Sequence, residues 1–265
     1  KDLIKVNVKD TTLCHRYACR VIKNIKVQES PQWLKNRLAL IGQKSINNIV
    51  DLANYIMFDL GQPLHAFDYD KLNGQKIEVR LAKKNEKILC LNNELNKLSI
   101  NDIVIADSKG PIAIAGVIGG FDSQVDNQTT NILLESAVFN EVSIRKTSKK
   151  YDYEKEASKR FERGIDYNNV IYVMDKFTKF LIDIAGGDVS GDFVDIKSKN
   201  NNTKKIKFNI NNCNKFLGIS LDADEYKNIF SKLSIYTNTD FICTIPSYRN
   251  DLEREVDLYE EVARV

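Results

Sequence analysis

The chain has 265 residues, of which 39 are basic and 36 are acidic, and its formal net charge is +3. Its 43% of hydrophobic and 28% of charged residues are typical of a globular protein with a sizeable core, which excludes collagen, a coiled coil and a fully disordered chain. The longest apolar runs are of strand length, so the sequence predicts no membrane-spanning helix. A nearly neutral chain is also not a nucleic-acid binder by composition alone.

Helical periodicity marks the first predicted elements. Ser30 followed by Pro31 is typical of a helix start with Ser30 as the N-cap, and the apolar spacing continues to a stop at Gly42. A second helical pattern covers residues 49–60 and ends at Gly61. Clusters of glycine, asparagine and aspartate then separate short β-rich runs, which predict strands at residues 77–81, 88–91, 103–106, 112–115 and 132–139.

The chain changes character near residue 200. Helical patterns cover residues 154–163 and 170–184, and the polar stretch 197–205 predicts a linker. The sequence therefore predicts an α+β fold, with a large mixed α/β module over residues 1–199 and a small α+β module over residues 200–265. In the small module we expect a strand at 206–210, a helix burying Tyr226 and Phe230, a strand near 242–245 and a helix from about Leu252.

The cysteines number five, and none of them form a CxxC pair, so neither a zinc site nor a disulfide framework fits their spacing. This usage predicts reduced, mostly buried thiols in a cytoplasmic protein. The chain begins with lysine and ends inside a helical pattern, and we therefore expect it to be a piece of a longer protein.

Two polar residues stand out in the larger module. His65 lies in a predicted loop just after the second helix, where a lone histidine is more often structural than catalytic, although loops on rigid elements also carry sites. Glu135 interrupts an apolar strand, which is costly unless something binds the carboxylate. Its partner is either an internal one, through a salt bridge or backbone contacts, or a ligand.

A glycine-rich turn covers residues 115–120. It is not a GxGxxG motif followed by a helix, so it does not indicate dinucleotide binding. Glycines at such a place permit a tight turn or the close approach of a ligand to the backbone.

The last predicted helix has two faces. Its apolar stripe is expected to consist of Leu252, Val256, Tyr259 and Val262. Another face carries carboxylates at i, i+3 and i+4, with one more upstream, and their convergence suits either a magnesium ion or a solvated acidic surface. These four acids are Asp251, Asp257, Glu260 and Glu261.

Several motifs together resemble one family, the β subunits of bacterial phenylalanine–tRNA ligases, in the family's own order and over nearly the whole chain. The motifs are VDLANY at 50–55, GQPLHAFD at 61–68, LLE at 133–135, ASKRFERGID at 157–166, IPSYR at 245–249 and EEVAR at 260–264.

The resemblance implies that residues 1–199 form a tRNA editing module, which hydrolyses the ester of tyrosine wrongly attached to phenylalanine tRNA. Residues 200–265 resemble the small winged-helix-like module that follows it, associated with DNA binding and truncated here. By the same resemblance Glu135 accepts the tyrosine phenol, and His65 and Asn54 complete the catalytic set. The implied substrate-binding residues are Gly116, Gly119, Ala53 and Ala157.

The resemblance also implies partners and cofactors for the whole enzyme, a cytoplasmic heterotetramer of two α and two β subunits. That enzyme binds phenylalanine tRNA, uses ATP only when complete, and has no membrane partner. A magnesium ion at a site shared with the α subunit is implied for Asp251, Asp257, Glu260 and Glu261. The chain alone is not expected to attach phenylalanine to tRNA.

Two departures from the family pattern keep an alternative open. Ala53 stands where the family usually has threonine, and Lys155 stands where it often has another threonine. The alternative is a structural fragment that contacts tRNA or the partner subunit and has a degenerate, inactive editing pocket. A free-standing editing protein is disfavoured by the acidic motif at the end of the chain.

Overall fold

A computed structural model describes residues 4–189, 192–198 and 203–265. The chain divides into two units, residues 1–198 and 199–265, and each is described by itself. The predicted boundary near residue 200 and the middle of the predicted linker lie outside the described residues. The two ends of that linker, Lys197 and Lys205, belong to strands, so the linker prediction is wrong at its edges.

The larger unit mixes helices and strands, and the α+β fold class is confirmed. Its strands are β1 (Lys5–Val8), β2 (Cys14–Lys23), β3 (Leu64–Asp68), β4 (Lys76–Leu81), β5 (Lys87–Leu89), β6 (Leu95–Lys97), β7 (Ile103–Ala106), β8 (Pro111–Ile114), β9 (Ile118–Gly119), β10 (Ile132–Phe139), β11 (Asp188–Val189) and β12 (Val194–Lys197). Its helices are α1 (Gln32–Leu40), α2 (Asn48–Leu60), α3 (Glu141–Lys150), α4 (Glu156–Phe161) and α5 (Val170–Ala185).

Local capping explains where α1 and α2 begin and end. The Asn47 side chain accepts hydrogen bonds from the first backbone N–H groups of α2, and Gly61 ends that helix in the left-handed region at φ 73°. The cap of α1 is Pro31. Ser30 is therefore not the predicted N-cap, because its hydroxyl donates to the buried Asp51 carboxylate at 2.5 Å.

Two sheets organise the larger unit. One has the order β1–β4–β7–β8–β9, with β1 and β4 parallel and the other neighbours antiparallel. The other has the antiparallel order β11–β2–β10–β3, and β12 also pairs with β2. All eight residues of β10 are buried, because β2 and β3 cover its edges and α5 packs on the same sheet. A strand covered on both faces reads as a continuous apolar run.

Several elements of the larger unit were missed by the sequence interpretation, among them β3, β2 and α3. Residues 64–68 were expected to be a loop, but they form β3, whose backbone hydrogen bonds are completed by β10. The strand β2 was not predicted although it is almost entirely buried. The helix α3 was missed because it is polar throughout and buries only Ile144 among its large apolar residues.

The smaller unit packs helices on an antiparallel sheet of order β13–β15–β14. Its α8 begins three residues after the expected start at Leu252, and Val256 is 38% exposed whereas Leu258 is buried, so the predicted apolar stripe is corrected there. A winged-helix-like fold for this unit stays a prediction. The elements are β13 (Lys205–Lys207), α6 (Ile210–Leu217), α7 (Ala223–Lys232), β14 (Tyr236–Thr237), β15 (Ile242–Thr244) and α8 (Glu255–Arg264).

Two further observations concern the cysteines and the helices. All five cysteines are buried with free thiols, as their spacing predicted. Within the described ranges, none of the helices combines the length and the apolar character that crossing a membrane would require.

Candidate functional site

The register of the sheet that contains β10 defines which residues form the candidate site. Glu135 lies directly opposite Cys19 on β2 and directly opposite His65 on β3. Directly opposed residues of neighbouring strands point to the same face of a sheet. One face therefore carries a row formed by His65, Glu135 and Cys19. The next residue, Ser136, points to the other face and donates a hydrogen bond to the carbonyl of Val170 at the start of α5.

Glu135 is a buried carboxyl group with one partner. It is 5% exposed, and the Tyr17 hydroxyl donates a hydrogen bond of 2.8 Å to its Oε2 atom. Its Oε1 atom accepts no hydrogen bond from the residues that the structure describes. Burial raises the pKa of Glu135 to about 8, against the opposing effect of the Tyr17 hydrogen bond. The internal partner of Glu135 is thus a phenol, not the cation or backbone group that the sequence left open.

His65 lies directly opposite Glu135 on β3, and its side chain is partly buried. Its ring meets the ring of Phe67 edge-on, with the centroids 4.4 Å apart. Desolvation lowers the pKa of His65 to about 4, so the imidazole is neutral at pH 7. A Cβ atom at Gly119 would come within 2.8 Å of the His65 Cε1 atom, so this position leaves room for the imidazole only while it is glycine.

Gly116 forms the turn between β8 and β9, as the glycine-rich motif predicted. Its φ angle of 65° is in the left-handed region, which side chains other than glycine rarely adopt. A Cβ atom there would lie 3.0 Å from Phe161, 3.1 Å from Ile144 and 3.2 Å from Phe139. The predicted turn and the predicted close approach therefore both occur, and the approaching groups are the protein's own side chains.

Helices α2 and α4 meet through an arginine and an aromatic ring. The Arg160 guanidinium lies 4.6 Å from the ring centroid of Phe58. Asn54 lies one turn before Phe58 on α2, and Ala157 lies one turn before Arg160 on α4. These two predicted site residues are therefore on neighbouring helices. Ala53 is partly buried and packs against the core of the larger unit.

Only some of the predicted site residues are in contact with one another. His65, Glu135 and Gly119 are in one contiguous group through register and contact. Gly116 reaches α4 through Phe161. In the part of the chain that the structure describes, no hydrogen bond joins Asn54 to this group, and its role stays a prediction.

Gln62 is a neighbour that the sequence interpretation quoted only as part of a motif. Its side-chain amide is 1% exposed and donates to the carbonyls of Pro63 and Ala137, which ties the start of β3 to β10. Its Oε1 atom is buried without a hydrogen-bond partner among the described residues. A buried acceptor of this kind is unusual in a folded protein.

Lys155 does not enter this group of residues. Its side chain is exposed at the N-terminus of α4. Hydrogen bonds from Tyr153 and Asn92, with the nearby Lys155 charge, hold the pKa of Glu94 below its ordinary value. Within the described ranges Lys155 forms no ion pair with Glu94 or Glu135, and its charge has the smallest of these effects on Glu94.

A polar cleft of about 520 Å³ lies elsewhere on the larger unit, and neither His65 nor Glu135 lines it. Lysines 71, 87 and 109 contribute to its walls. The cleft is shallow and charged, unlike the apolar surroundings of Glu135, so we place the candidate site on the sheet and not in this cleft.

Three of the four acids near the end of the chain are held by other groups. Arg249 forms ion pairs of 2.6 Å with Asp251 and 2.8 Å with Glu261, which is buried. Asp257 accepts hydrogen bonds from backbone N–H groups at the start of α8, and Glu260 is exposed.

These acids do not form the converging set that their spacing suggested. Over the described ranges, no group of three or more Asp, Glu, His or Cys side chains is placed to hold a metal ion. Arg249 lies between Asp251 and Glu261, and Asp257 accepts from backbone N–H groups, so these side chains are directed to other partners. As arranged here the four side chains do not fit a magnesium ion, and a metal site at Asp251, Asp257, Glu260 and Glu261 stays a prediction.

Comparison with known families gives the class of the protein. Residues 13–186 match the B3/4 domain family, and residues 206–265 match the tRNA synthetase B5 domain family. The chain therefore belongs to the B3/4 domain family and carries a B5 domain after that domain.

The particular relatives are β subunits of phenylalanine–tRNA ligases, which confirms the resemblance drawn from the motifs. The chain is 42% identical over 266 residues to the β subunit of Protochlamydia amoebophila (strain UWE25), and 44% identical over 267 residues to that of Fusobacterium nucleatum subsp. nucleatum. Each alignment covers 99% of this chain and 33% of the relative, so the chain spans a third of the length of these relatives.

A solved N-terminal fragment of the phenylalanyl-tRNA synthetase β-subunit from Pyrococcus horikoshii is also similar, at 14% sequence identity and a TM-score of 0.49. The alignment covers 99% of this chain and 74% of that one. At this level the likeness is weak.

Proposed function

We propose that the larger unit is an editing hydrolase, which cleaves the ester of tyrosine wrongly attached to phenylalanine tRNA. The observation that carries the proposal is the Oε1 atom of Glu135, an unpaired carboxyl oxygen in a largely apolar site among the residues that the structure describes. A synthetic pocket for phenylalanine cannot strongly reject an isostere that adds only a hydroxyl, so a second site that requires the hydroxyl is needed. A carboxyl oxygen that can pair with the phenol in apolar surroundings meets that requirement.

The chemistry asked of the site is modest. Water attacks the carbonyl carbon of the aminoacyl ester, the bond from that carbon to the ribose oxygen breaks, and the ribose oxygen takes up a proton, which gives tyrosine and free tRNA. An aminoacyl ester is reactive, so positioning and hydrogen bonds to the developing oxyanion supply much of the rate. The neutral imidazole of His65 can donate or accept a hydrogen bond, which suits it to orient the ester or the water.

The remaining assignments concern the complete protein and follow from the names of the relatives. We propose that the chain is part of a phenylalanine–tRNA ligase β subunit in the cytoplasm, with an α subunit and phenylalanine tRNA as partners. ATP would be consumed by the complete ligase only. A magnesium ion at the four acids, shared with the α subunit, stays a proposal for the complete protein and is separate from the proposed hydrolysis.

A second candidate is a structural fragment with a degenerate pocket. Ala53 favours it, because the hydroxyl usual at that position is absent. Lys155 favours it less than the sequence suggested, because its side chain is exposed and forms no ion pair with Glu135 in the described ranges. The two candidates differ in one measurable property, which is the hydrolysis of tyrosyl-tRNA by the chain.

The test is a deacylation assay that compares tyrosyl and phenylalanyl esters of phenylalanine tRNA. We expect the wild-type chain to prefer the tyrosyl ester, and Glu135→Ala to lose about 1–3 kcal/mol of that preference, because a hydrogen bond to a charged or strongly polar group is lost. Ser136→Ala is the matched control, since its side chain lies on the other face of the same strand.

Hydrolysis of neither ester by the wild-type chain would support the degenerate pocket. Equal discrimination by wild type and Glu135→Ala would remove Glu135 from the proposed role. Loss of discrimination in Ser136→Ala would show that a general disturbance of β10 is sufficient.

A further inference from the structure

The hydroxyl of Tyr17 binds one of the two oxygens of the Glu135 carboxyl group. Tyr17 is fully buried on β2, and its hydroxyl donates to Oε2 at 2.8 Å. Its ring belongs to the hydrophobic core of the larger unit. A side chain packed in this way keeps one position, because moving it out of the core would leave a cavity the size of an aromatic ring.

The second oxygen of the carboxyl group, Oε1, has no hydrogen-bond partner among the described residues. No residue in the described ranges donates to Oε1, so the two oxygens of Glu135 are in different situations. When ionised, a carboxyl group accepts hydrogen bonds on both oxygens, and when protonated its O–H donates one, so Oε1 can pair with a phenol in either form. A carboxyl group held at one oxygen also keeps a single orientation, and such fixed orientation is what a discriminating site requires.

We propose that Tyr17 is a positioning residue for discrimination: its hydroxyl holds Oε2 of Glu135 so that Oε1 is left to meet the phenol of a tyrosyl ester. This inference rests on the proposed function and names a residue that acts through Glu135. The site then binds a substrate phenol beside a phenol of its own, with one carboxyl group between them.

The groups that face Glu135 make its ionisation sensitive to Tyr17. On β2 these are the Tyr17 hydroxyl and the thiols of Cys14 and Cys19, and on β3 it is His65. Burial and the neighbouring Glu135 raise the pKa of Cys19 to about 12, and the His65 imidazole is neutral near pH 7, so neither supplies a charge there. The Tyr17 hydrogen bond is the effect that lowers the pKa of Glu135.

The experiment removes only the hydroxyl, by Tyr17→Phe in the full chain. Glutamate labelled with ¹³C at the side-chain carboxyl carbon reports the titration of Glu135, which is assigned by its loss in Glu135→Gln. We expect the midpoint to rise by about one pH unit, since a donor to the ionised form is lost. We also expect the preference for tyrosyl over phenylalanyl ester to fall about threefold to tenfold. A merely structural role for the hydroxyl would not move the titration midpoint.

The matched control is Tyr151→Phe, which removes another tyrosine hydroxyl that donates to a buried carboxyl group, that of Asp102, outside the candidate site. It is expected to change neither the Glu135 midpoint nor the ester preference. If Tyr17→Phe does not fold, 3-fluorotyrosine at position 17 takes its place, because a stronger donor should lower the midpoint instead.

The outcomes separate this inference from the proposed function. If wild type discriminates and Tyr17→Phe discriminates equally, the positioning role is wrong and the proposed function stands. If wild type hydrolyses neither ester, the proposed function fails, and the role of Tyr17 in discrimination fails with it, whatever the titration gives. An unchanged midpoint in Tyr17→Phe, or in the fluorotyrosine protein, overturns the inference in either case.

Discussion

Glu135 and His65 are neighbours whose pKa values are displaced in opposite directions. Desolvation raises the pKa of the buried acid to about 8 and lowers that of the imidazole to about 4. The same physical cause therefore keeps both groups neutral across the pH range in which most proteins work. A pair of neutral groups is suited to exchange hydrogen bonds with a neutral ester and a phenol.

The displaced pKa values have consequences for stability that can be measured. The folded chain keeps the Glu135 proton to about pH 8, whereas unfolded glutamate releases it near pH 4.3, so rising pH lowers the free energy of unfolding across this window. Unfolded histidine keeps its proton to about pH 6.5, whereas folded His65 loses it near pH 4, so rising pH raises that free energy. The two effects oppose each other below about pH 6.5.

Above that pH only the Glu135 effect continues. We expect its contribution to fall by about 2 kcal/mol between pH 6.5 and pH 8, and Glu135→Gln to abolish this loss, because the amide has no proton to release. Urea denaturation of both proteins at several pH values measures the difference. Parallel pH profiles for the two proteins would mean that Glu135 is ionised in the folded chain.

At the residue scale the sequence predicted only one member of the hydrogen-bonded pair of Glu135 and Tyr17. A carboxylate inside an apolar run is visible without a structure, and Glu135 was found in this way. Tyr17 was missed because it is 118 residues away along the chain and is ordinary in its own strand. Only the register of β2 against β10 shows that the two residues share a face. A polar residue in an apolar strand signals that a partner exists, without saying where the partner lies.

Among the elements, the turn between β8 and β9 is the most constrained by packing. We expect Gly116→Ala to destabilise the larger unit by about 2–4 kcal/mol, because a positive φ is strained and three core side chains crowd the new methyl group. Gly42→Ala is the control, with φ 72° and open space around it, and should cost only about 1–2 kcal/mol of strain. Chemical denaturation gives both values, and equal costs would show that crowding contributes nothing.

The elements that were predicted well are those with a strong internal pattern. The bounds of α2, α5 and β10 follow from apolar periodicity together with capping residues, and the structure reproduces them within a residue. The strand β3 was missed because it is short and follows turn residues, and its strand character depends on pairing with β10. This error mattered for function, since it placed His65 on a loop instead of on the same rigid sheet as Glu135.

For the whole molecule, the division into two units predicts that local damage stays local. We expect Arg249→Met to destabilise residues 206–265 by about 1–3 kcal/mol, because the buried Glu261 loses one of its two cations and keeps only Arg264. Hydrogen exchange read by mass spectrometry should show faster exchange in that unit and unchanged protection in residues 13–186. Arg254→Met is the control, because its pair with Asp257 is exposed and surface pairs contribute little.

The same variant tests the cation at Asp251 and Glu261. Because Arg249 pairs with both, added magnesium should leave the exchange of the wild-type chain unchanged. Magnesium should partly restore protection in Arg249→Met, where two carboxylates lack their shared cation. Protection of the wild-type chain by magnesium would show that the ion competes with the guanidinium.

The double pairing of β10 also limits how the chain can change in length. Side chains alternate between the two faces of a strand, so one residue inserted before Glu135 within β10 would turn its carboxyl group towards α5 and bring an apolar neighbour into the row with His65. The loop of residues 124–131 that precedes β10 has no such alternation of side chains to preserve. Among descendants of this sequence, we expect insertions and deletions to accumulate in that loop and to be purged from the eight residues that follow it.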